Sequence, residues 1–419
     1  MAAGRSFRAP KGTRDLLVPE STRARRLVEV FADLAERSGF GLVVTPMFEE
    51  LDVFLRLGEA TDVVTKEMYT FETKGGDRLA LRPELTASLV RAFVQHNPPT
   101  PWKAWCAGFN FRYERPQKGR YRQFEQVDVE LIGTADPQAD VEVVALGWRF
   151  YEALGLRRVA LKLNDLGDRA DRPRYLDALR AHFAGNLDAL SEQSRLTLEK
   201  NPLRVLDSKR PEDADLVAAA PVIGDYVSDE SAAAFVEVQV GLRALDVPFT
   251  VTPRLVRGLD YYTRTTFEFA GVGLGASQDA VGGGGRYDGL VEDLGGPATP
   301  GIGFGLGVDR TLLACDEEGV FPAPAPAVDV FVVDVVDGSH ATVLCDELRR
   351  SGLGADRAYE GRSMKAQMKK AGASGAPLAV IVGPDEDADG TVAVRDLRTA
   401  EQSTVARGDV VESIRKLLS

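Results

Sequence analysis

The sequence predicts an α+β protein: an antiparallel sheet flanked by helices, with a helical insertion and a separate C-terminal α/β domain. Three observations carry this. Two hairpin patterns, 68–72 with 78–82 and the long stretch 111–130, join extended segments through turn residues. Residues 170–250 are rich in Ala, Leu, Asp and Glu and helical in pattern, with few strand signals. Pro322-Ala323-Pro324-Ala325-Pro326 reads as a stiff linker, and strands alternate with helices beyond it. The expected domains are therefore 1–325, carrying the insertion, and 326–419.

In chain order, residues 19–38 form an amphipathic helix, with Leu27, Val30, Phe31 and Leu34 at helical spacing and Gly39 and Gly41 ending it. A short strand over 42–45 stops at Pro46. The first hairpin turns at Gly75-Gly76 and leads into Arg82-Pro83-Glu84-Leu85-Thr86, which opens a helix through about Gln95. Pro83 suits that helix's first turn, and Glu84 suits its N-terminal dipole. A helix over 138–155 and a strand over 159–163 follow. After the insertion, strand character returns over 249–269, and glycines crowd 281–289. In Gly301-Ile302-Gly303-Phe304-Gly305-Leu306-Gly307, glycine alternates with apolar residues, so one face of a strand carries no side chains. That face suits either a flat ligand or close packing. The C-terminal domain reads as strand 328–336, helix 340–351, strand 353–358, helix 363–373 and strand 378–382. A hairpin at Asp389-Gly390, strand 391–397 and helix 408–418 complete it.

The chain has 419 residues, 44% hydrophobic and 27% charged, the composition of a globular protein of two or three domains. No apolar run reaches membrane-span length and the N-terminus lacks an apolar signal region, so cytoplasmic residence is the default expectation. Three scattered cysteines and three histidines in no metal-ligand spacing argue against a disulfide framework and against a protein-held metal. Chemistry must rest on Arg, Glu, Gln and Tyr. A net charge of −12 argues against nonspecific coating of nucleic acid, but not against local basic patches.

The hairpin 111–130, FRYERPQKGRYRQFEQVDVE, is such a patch: Arg112 to Arg122 holds five basic residues and one acidic one. It is either a solvated loop or a phosphate site. Neither GxxxxGK[ST] nor a GxGxxG opening a helix is present, so phosphate would be held by arginines projecting from a sheet. Along the strand 123–130, Phe124, Gln126, Asp128 and Glu130 share a face; Arg112 and Glu114 share one on its partner. With Arg257, Tyr261 and Tyr262, these outline a pocket with cationic and anionic ends, suited to a zwitterion plus a polyphosphate.

KGTRDLL near the N-terminus, RPELT, FRYERPQKGRYRQFEQ, LVRGLDYYTRTTFEF, GGGGRYDGLVEDLGG and GIGFGLGVDR occur here in the order found in bacterial histidyl-tRNA synthetases, class II aminoacyl-tRNA synthetases. The chain resembles that family along nearly its whole length, and GRSMKAQMKKA resembles its anticodon-binding domain. RGLDYYT is the most specific of these motifs. The resemblance implies a six- or seven-stranded antiparallel catalytic sheet and a homodimer in which residues 19–46 form much of the interface. It implies a two-step reaction: histidine and ATP, with Mg²⁺, give histidyl-adenylate, and the histidyl group then passes to tRNA(His).

Residue by residue, the resemblance implies that Arg112 holds the α-phosphate and Arg257 acts on the opposite side of the same centre. Phe124 would stack on adenine, Arg310 cover it and grip the γ-phosphate, and Arg120 and Glu114 help place ATP. Glu84 and Thr86 would take the ammonium group of histidine, and Gln126 would line its site. Glu130 and Tyr262 would address the imidazole, with Tyr261 beside them. Arg115 and Gln117 would meet the acceptor end of the tRNA. Leu85, Glu125 and Asp128 depart from the usual pattern; Asp128, where glycine is usual, puts a carboxyl on the pocket face between Gln126 and Glu130. The alternative is a non-catalytic relative that regulates ATP phosphoribosyltransferase; it generally lacks an intact RGLDYY and the C-terminal domain, both present here.

Overall fold

The computed structural model describes residues 7–56, 66–208, 210–256, 261–273, 279–325 and 327–419. The chain divides into two compact units, Met1–Pro322 and Ala323–Ser419.

In the first unit the strands are β1 (Gly41–Leu42), β2 (Phe48–Glu50), β3 (Tyr69–Glu72), β4 (Arg78–Leu81), β5 (Trp102–Phe111), β6 (Gln123–Ile132), β7 (Val159–Asp165), β8 (Thr250–Val251), β9 (Thr263–Gly271), β10 (Ala280–Arg286) and β11 (Gly301–Gly307). The main sheet has the order β1-β5-β6-β11-β10-β9-β7-β8. From β5 to β7 every neighbouring pair in that order is antiparallel. The two-residue strands β1 and β8 add parallel edges, so the sheet as a whole is mixed. The first hairpin forms as expected, and its strands join β2 in a small sheet, β2-β4-β3.

The helix Glu20–Arg37 buries Ala24, Leu27, Phe31 and Ala35, the spacing that keeps one stripe against a core. Phe31 is fully buried and meets Phe150, Trp105 and Phe304 edge-on, at 5.3, 6.1 and 6.1 Å. The strand expected over 42–45 shrinks to Gly41–Leu42, and pairing with β5 ends at the Val43 N–H bond to Trp105 O. Pro46, with no N–H, cannot extend it. The strand pattern over 249–269 breaks into β8 and β9. Arg257 and the three residues after it fall outside the described residues.

The insertion is helical, as expected: Arg172–Ala184, Glu192–Lys200, Ala214–Ala219 and Asp229–Ala244. It has a core of its own around Tyr175, Leu179, Phe183, Val205 and Ile223. At the end of β10, buried Arg286 is paired with Asp140 on the helix Pro137–Ala153, and its Nη1 donates to Thr134 O at 3.0 Å.

The second unit has strands β12 (Val330–Asp334), β13 (Ala355–Arg357), β14 (Leu378–Val382), β15 (Thr391–Asp396) and β16 (Gln402–Ala406), in the order β13-β12-β14-β15-β16. The strands either side of Asp389-Gly390, β14 and β15, pair antiparallel as expected, but the connection is a short helix, Pro384–Asp389, closed by Gly390 at φ +64°, not a tight turn. A shorter hairpin joins β15 to β16. A DG pair serves a helix C-terminus as well as a tight turn, because both require a left-handed residue.

Candidate active site

The site is built on β6 and the strands beside it. Gln126, Asp128 and Glu130 of β6 face Gly307, Gly305 and Gly303 of β11 in register. A Cβ at Gly303 would stand 1.8 Å from Glu130 Oε2. One at Gly305 would stand 2.6 Å from Gln126 Nε2 and 2.9 Å from Asp128 Oδ2. The bare face of β11 is therefore filled largely by the polar side chains of its neighbour. Gly305 and Gly307 also border an open cleft, so the glycine row serves both of the purposes left open by the sequence.

At its deep end β6 carries Glu130, fully buried, whose Oε2 accepts from the Tyr287 hydroxyl. Burial pushes its pKa up to about 8, against the Thr86 and Tyr287 hydroxyls, which favour the charged form. Asp128 is 2% exposed, and burial, followed by the charges of Glu130 and Glu84, pushes its pKa well above the carboxylate range. Arg82 and Arg112 oppose that rise. Arg82 is itself buried and pinned to Phe109 O, Thr45 O and Thr45 Oγ1. Among the described residues, Asp128 Oδ1 and Glu130 Oε1 are buried without a hydrogen-bond partner.

Glu84 departs from its expected place. The helix starts at Thr86, so Pro83 and Glu84 precede it. Glu84 caps it instead, accepting from Thr86 N at 3.0 Å and Ala87 N at 2.7 Å. The buried Tyr261 hydroxyl donates to Glu84 Oε2 at 3.4 Å, and its ring lies 4.6 Å from that of half-buried Tyr262. Burial raises the pKa of Glu84 and drives the Tyr261 and Tyr287 hydroxyls well above theirs.

At the other end of β6 a cleft of about 180 Å³ is lined by Arg112, Glu114, Arg120, Phe124, Gln126 and Arg310, among others. Arg112 lies one residue past the end of β5, in the connecting loop, and Glu114 further along it, not on a strand face as their spacing suggested. The loop is tied across its base by the Arg112 N–H bond to Arg122 O. Arg112 Nε donates to Pro83 O at 2.9 Å, and its guanidinium lies 5.3 Å from the Phe124 ring centre. Arg120 pairs with Glu114 at 3.4 Å. Arg310 donates to Gly119 O and Ala280 O; burial, then the positive charges of Arg120 and Arg112, lowers its pKa. Cations held this close favour an anionic ligand between them.

Arg115 and Gln117 are exposed near the loop tip. The tip is a tight turn, with Gln117 bonded to Arg120 and Gly119 at φ +73°. A Cβ on Gly119 would come within 2.6 Å of Leu313, so the turn docks closely on the helix Val308–Glu318. The N-terminal KGTRD segment braces the loop. Gly12 O accepts from Arg122 N at 2.7 Å, and Arg14 pairs with Asp309 at 2.5 Å and lies over the Tyr121 ring.

Every predicted site residue except Arg257, which lies outside the described residues, falls in this pocket or on its loop. Sequence reasoning missed Tyr287, Asn110, Arg82 and Asp309. Tyr287 reaches Glu130 across 157 positions, and Asn110 Nδ2 donates to Gln126 Oε1 at 2.6 Å from the neighbouring strand. The one usable signal was cross-strand pairing on the hairpin, which sets Asn110 opposite Phe124.

The fold matches a crystal structure of apo S. aureus histidyl-tRNA synthetase with a TM-score of 0.82, at 34% identity over 98% of this chain and 100% of that one. The sheet with its arginine-lined cleft and carboxyl pocket is thus the catalytic unit of an aminoacyl-tRNA synthetase. The sequence pattern of the histidyl-tRNA synthetase family matches residues 12–311, and that of an anticodon-binding domain matches residues 329–417. The chain belongs to the histidyl-tRNA synthetase family. It is 47% identical to the histidine–tRNA ligase of Streptomyces coelicolor, over 99% of this chain and 98% of that one. It is 46% identical to that of Geobacillus thermodenitrificans, over 97% of each. Among the described residues no helix is long and apolar enough to cross a membrane.

Proposed function

We propose that the protein ligates L-histidine to tRNA(His) through histidyl-adenylate, formed from histidine and ATP. The observation that carries this reading is the continuity of β6: Phe124 and Gln126 border the cationic cleft, and Glu130 ends the same face in a buried carboxyl pocket. A polyphosphate in the cleft and a nitrogen-rich amino acid in the pocket beyond it meet beside Arg112, which lines the cleft.

In this reading Phe124 stacks on adenine, and Arg310, Arg120 and Glu114 hold the phosphates. Mg²⁺ enters with ATP, held chiefly by phosphate oxygens. Arg112, braced by Pro83 O, neutralises the α-phosphate as the histidine carboxylate attacks. The attack forms the mixed anhydride and expels pyrophosphate. The part of Arg257, on the opposite side of that centre, rests on the resemblance alone. Glu84 and Thr86 take the ammonium, Gln126 lines the site, and Glu130, Tyr261 and Tyr262 read the ring by hydrogen bonds, which discriminate more sharply than shape. Exposed Arg115 and Gln117 suit the acceptor end of the tRNA, and the second unit suits its anticodon arm. The protein acts as a cytoplasmic homodimer joined largely through residues 19–46.

The regulatory alternative is disfavoured by the anticodon-binding match over 329–417 and by relatives named as ligases along the full length. Histidine-dependent ATP–pyrophosphate exchange tests the reading. We expect exchange with histidine alone among amino acids, and a loss of about 100-fold or more in Arg112→Ala. No exchange by the pure protein with histidine, ATP and Mg²⁺ would refute it.

A further inference from the structure

We propose that Asp128 is a specificity-determining residue of the amino-acid pocket, a third carboxyl that accepts a hydrogen bond from the substrate's α-ammonium group. This rests on the synthetase reading above and deepens it.

The argument is one of unmatched acceptors. Asp128 is 2% exposed and its Oδ1 has no partner among the described residues; Glu130, two residues along on the same face, is fully buried, and its Oε1 has none among them either. A buried acceptor left open costs stability, so each is a cost that an entering N–H group removes. Two open acceptors on one face call for a ligand with two separate N–H groups. A free amino acid bearing a side-chain N–H is such a ligand.

Position along β6 assigns the ends. Gln126 borders the phosphate cleft, Glu130 lies deepest against Tyr287, and Asp128 lies between them. Gln126 and Glu130 are about 13 Å apart along the strand. The reacting carboxylate must face the cleft and the side chain must point inward, which leaves the α-carbon and its ammonium near the middle. The other acceptors there already hold hydrogen bonds and can take only a share of the ammonium's three N–H groups. Gln126 Oε1 accepts from Asn110, and both oxygens of Glu84 accept backbone N–H groups at the helix start. Gln126 Nε2 and Asp128 Oδ2 share the hollow over Gly305, which only glycine leaves open.

The groups facing Asp128 are Glu130 on its own strand, Cys106 opposite on β5, Arg82, Glu84 and Arg112 from the segments over the pocket, and glycine backbone from β11. Carboxyls outnumber guanidiniums there, so the empty pocket keeps protons that a bound cation displaces.

The test is calorimetric titration of the full-length protein, wild type, Asp128→Asn and Asp128→Gly, with histidine, with imidazolepropionate (which lacks the ammonium) and with ATP. Repeating the histidine titration in buffers of different ionisation enthalpy counts the protons released. Either variant should weaken histidine about ten-fold or more and release fewer protons, with imidazolepropionate and ATP within about two-fold of wild type. Unchanged histidine affinity in a folded variant overturns the assignment and leaves the synthetase reading standing. Equal weakening of all three ligands makes the role merely structural and also overturns it. A wild-type protein that binds ATP but not histidine overturns both readings.

Discussion

Two sets of buried carboxyls, one in the helical insertion and one in the pocket, show how the same chemical group is put to opposite uses. In the insertion, fully buried Asp213 accepts from Ser191 N at 2.8 Å, Ser191 Oγ at 2.9 Å, and Ser194 Oγ and Ser208 Oγ at 2.5 Å each. Burial alone would raise its pKa, but the Ser191 backbone N–H and the three hydroxyls outweigh it and hold the pKa down to about 2. In the pocket the Thr86 and Tyr287 hydroxyls favour the charged form of Glu130, but burial wins, raising the pKa to about 8. Asp213 is ringed by donors that outweigh its burial, whereas Glu130 lies deeper and burial outweighs the two hydroxyls that oppose it, so depth and donors together separate the two carboxyls.

The comparison can be broken at several points. The largest expected effect is at Glu130. Glu130→Gln should cut histidine-dependent exchange about 100-fold or more while the melting temperature holds or rises, because a pocket carboxyl is kept at the expense of stability. A variant that keeps its exchange activity, or unfolds, would place Glu130 with the structural set. Next is Asp213→Ala. Removing the common acceptor strands three hydroxyls and a backbone N–H, and should lower stability on the order of 3 kcal/mol in chemical denaturation. Exchange by the folded fraction should change little.

The smaller effects are in pH. Below Glu130's pKa of about 8, a ligand N–H must first displace its proton, so histidine affinity should rise by up to about ten-fold per pH unit from pH 7 to 8. A flat profile over that range would mean that Glu130 is already ionised in the empty pocket. The sign is opposite for Asp213, whose folded pKa is depressed. Its stabilisation is fully present above the ordinary carboxylate pKa near 4 and fades as pH falls toward 2, which acid unfolding of the full-length chain with and without Asp213→Asn would reveal.

Much of the fold was legible because its signals are local. The stripe Leu27, Phe31 and its neighbours fixed the first helix; the turn residues fixed both hairpins of the catalytic unit; alternation along 123–130 put Phe124, Gln126 and Glu130 on one face. Where expectation failed, a local signal had two uses. Asp389-Gly390 closes a helix within the connection between two antiparallel strands rather than forming a tight turn, and Glu84 caps a helix from outside rather than favouring its dipole from within. Arg112 slipped off its strand because pairing with β6 ends at Phe111, and no residue pattern marks where a ladder stops.

By itself, the sequence determined which side chains could form the site: the period of a strand and the run of arginines and carboxyls along 112–130 depend only on covalent geometry. The tertiary structure alone decided what those side chains are. Glycines of β11, aligned with β6 by register, make room for Glu130 and Asp128, and Tyr287 arrives from far along the chain to hold one oxygen. Whether a buried carboxyl is charged, neutral or waiting for a donor depends on neighbours brought together only by folding. No one-dimensional pattern could separate Asp213 from Glu130.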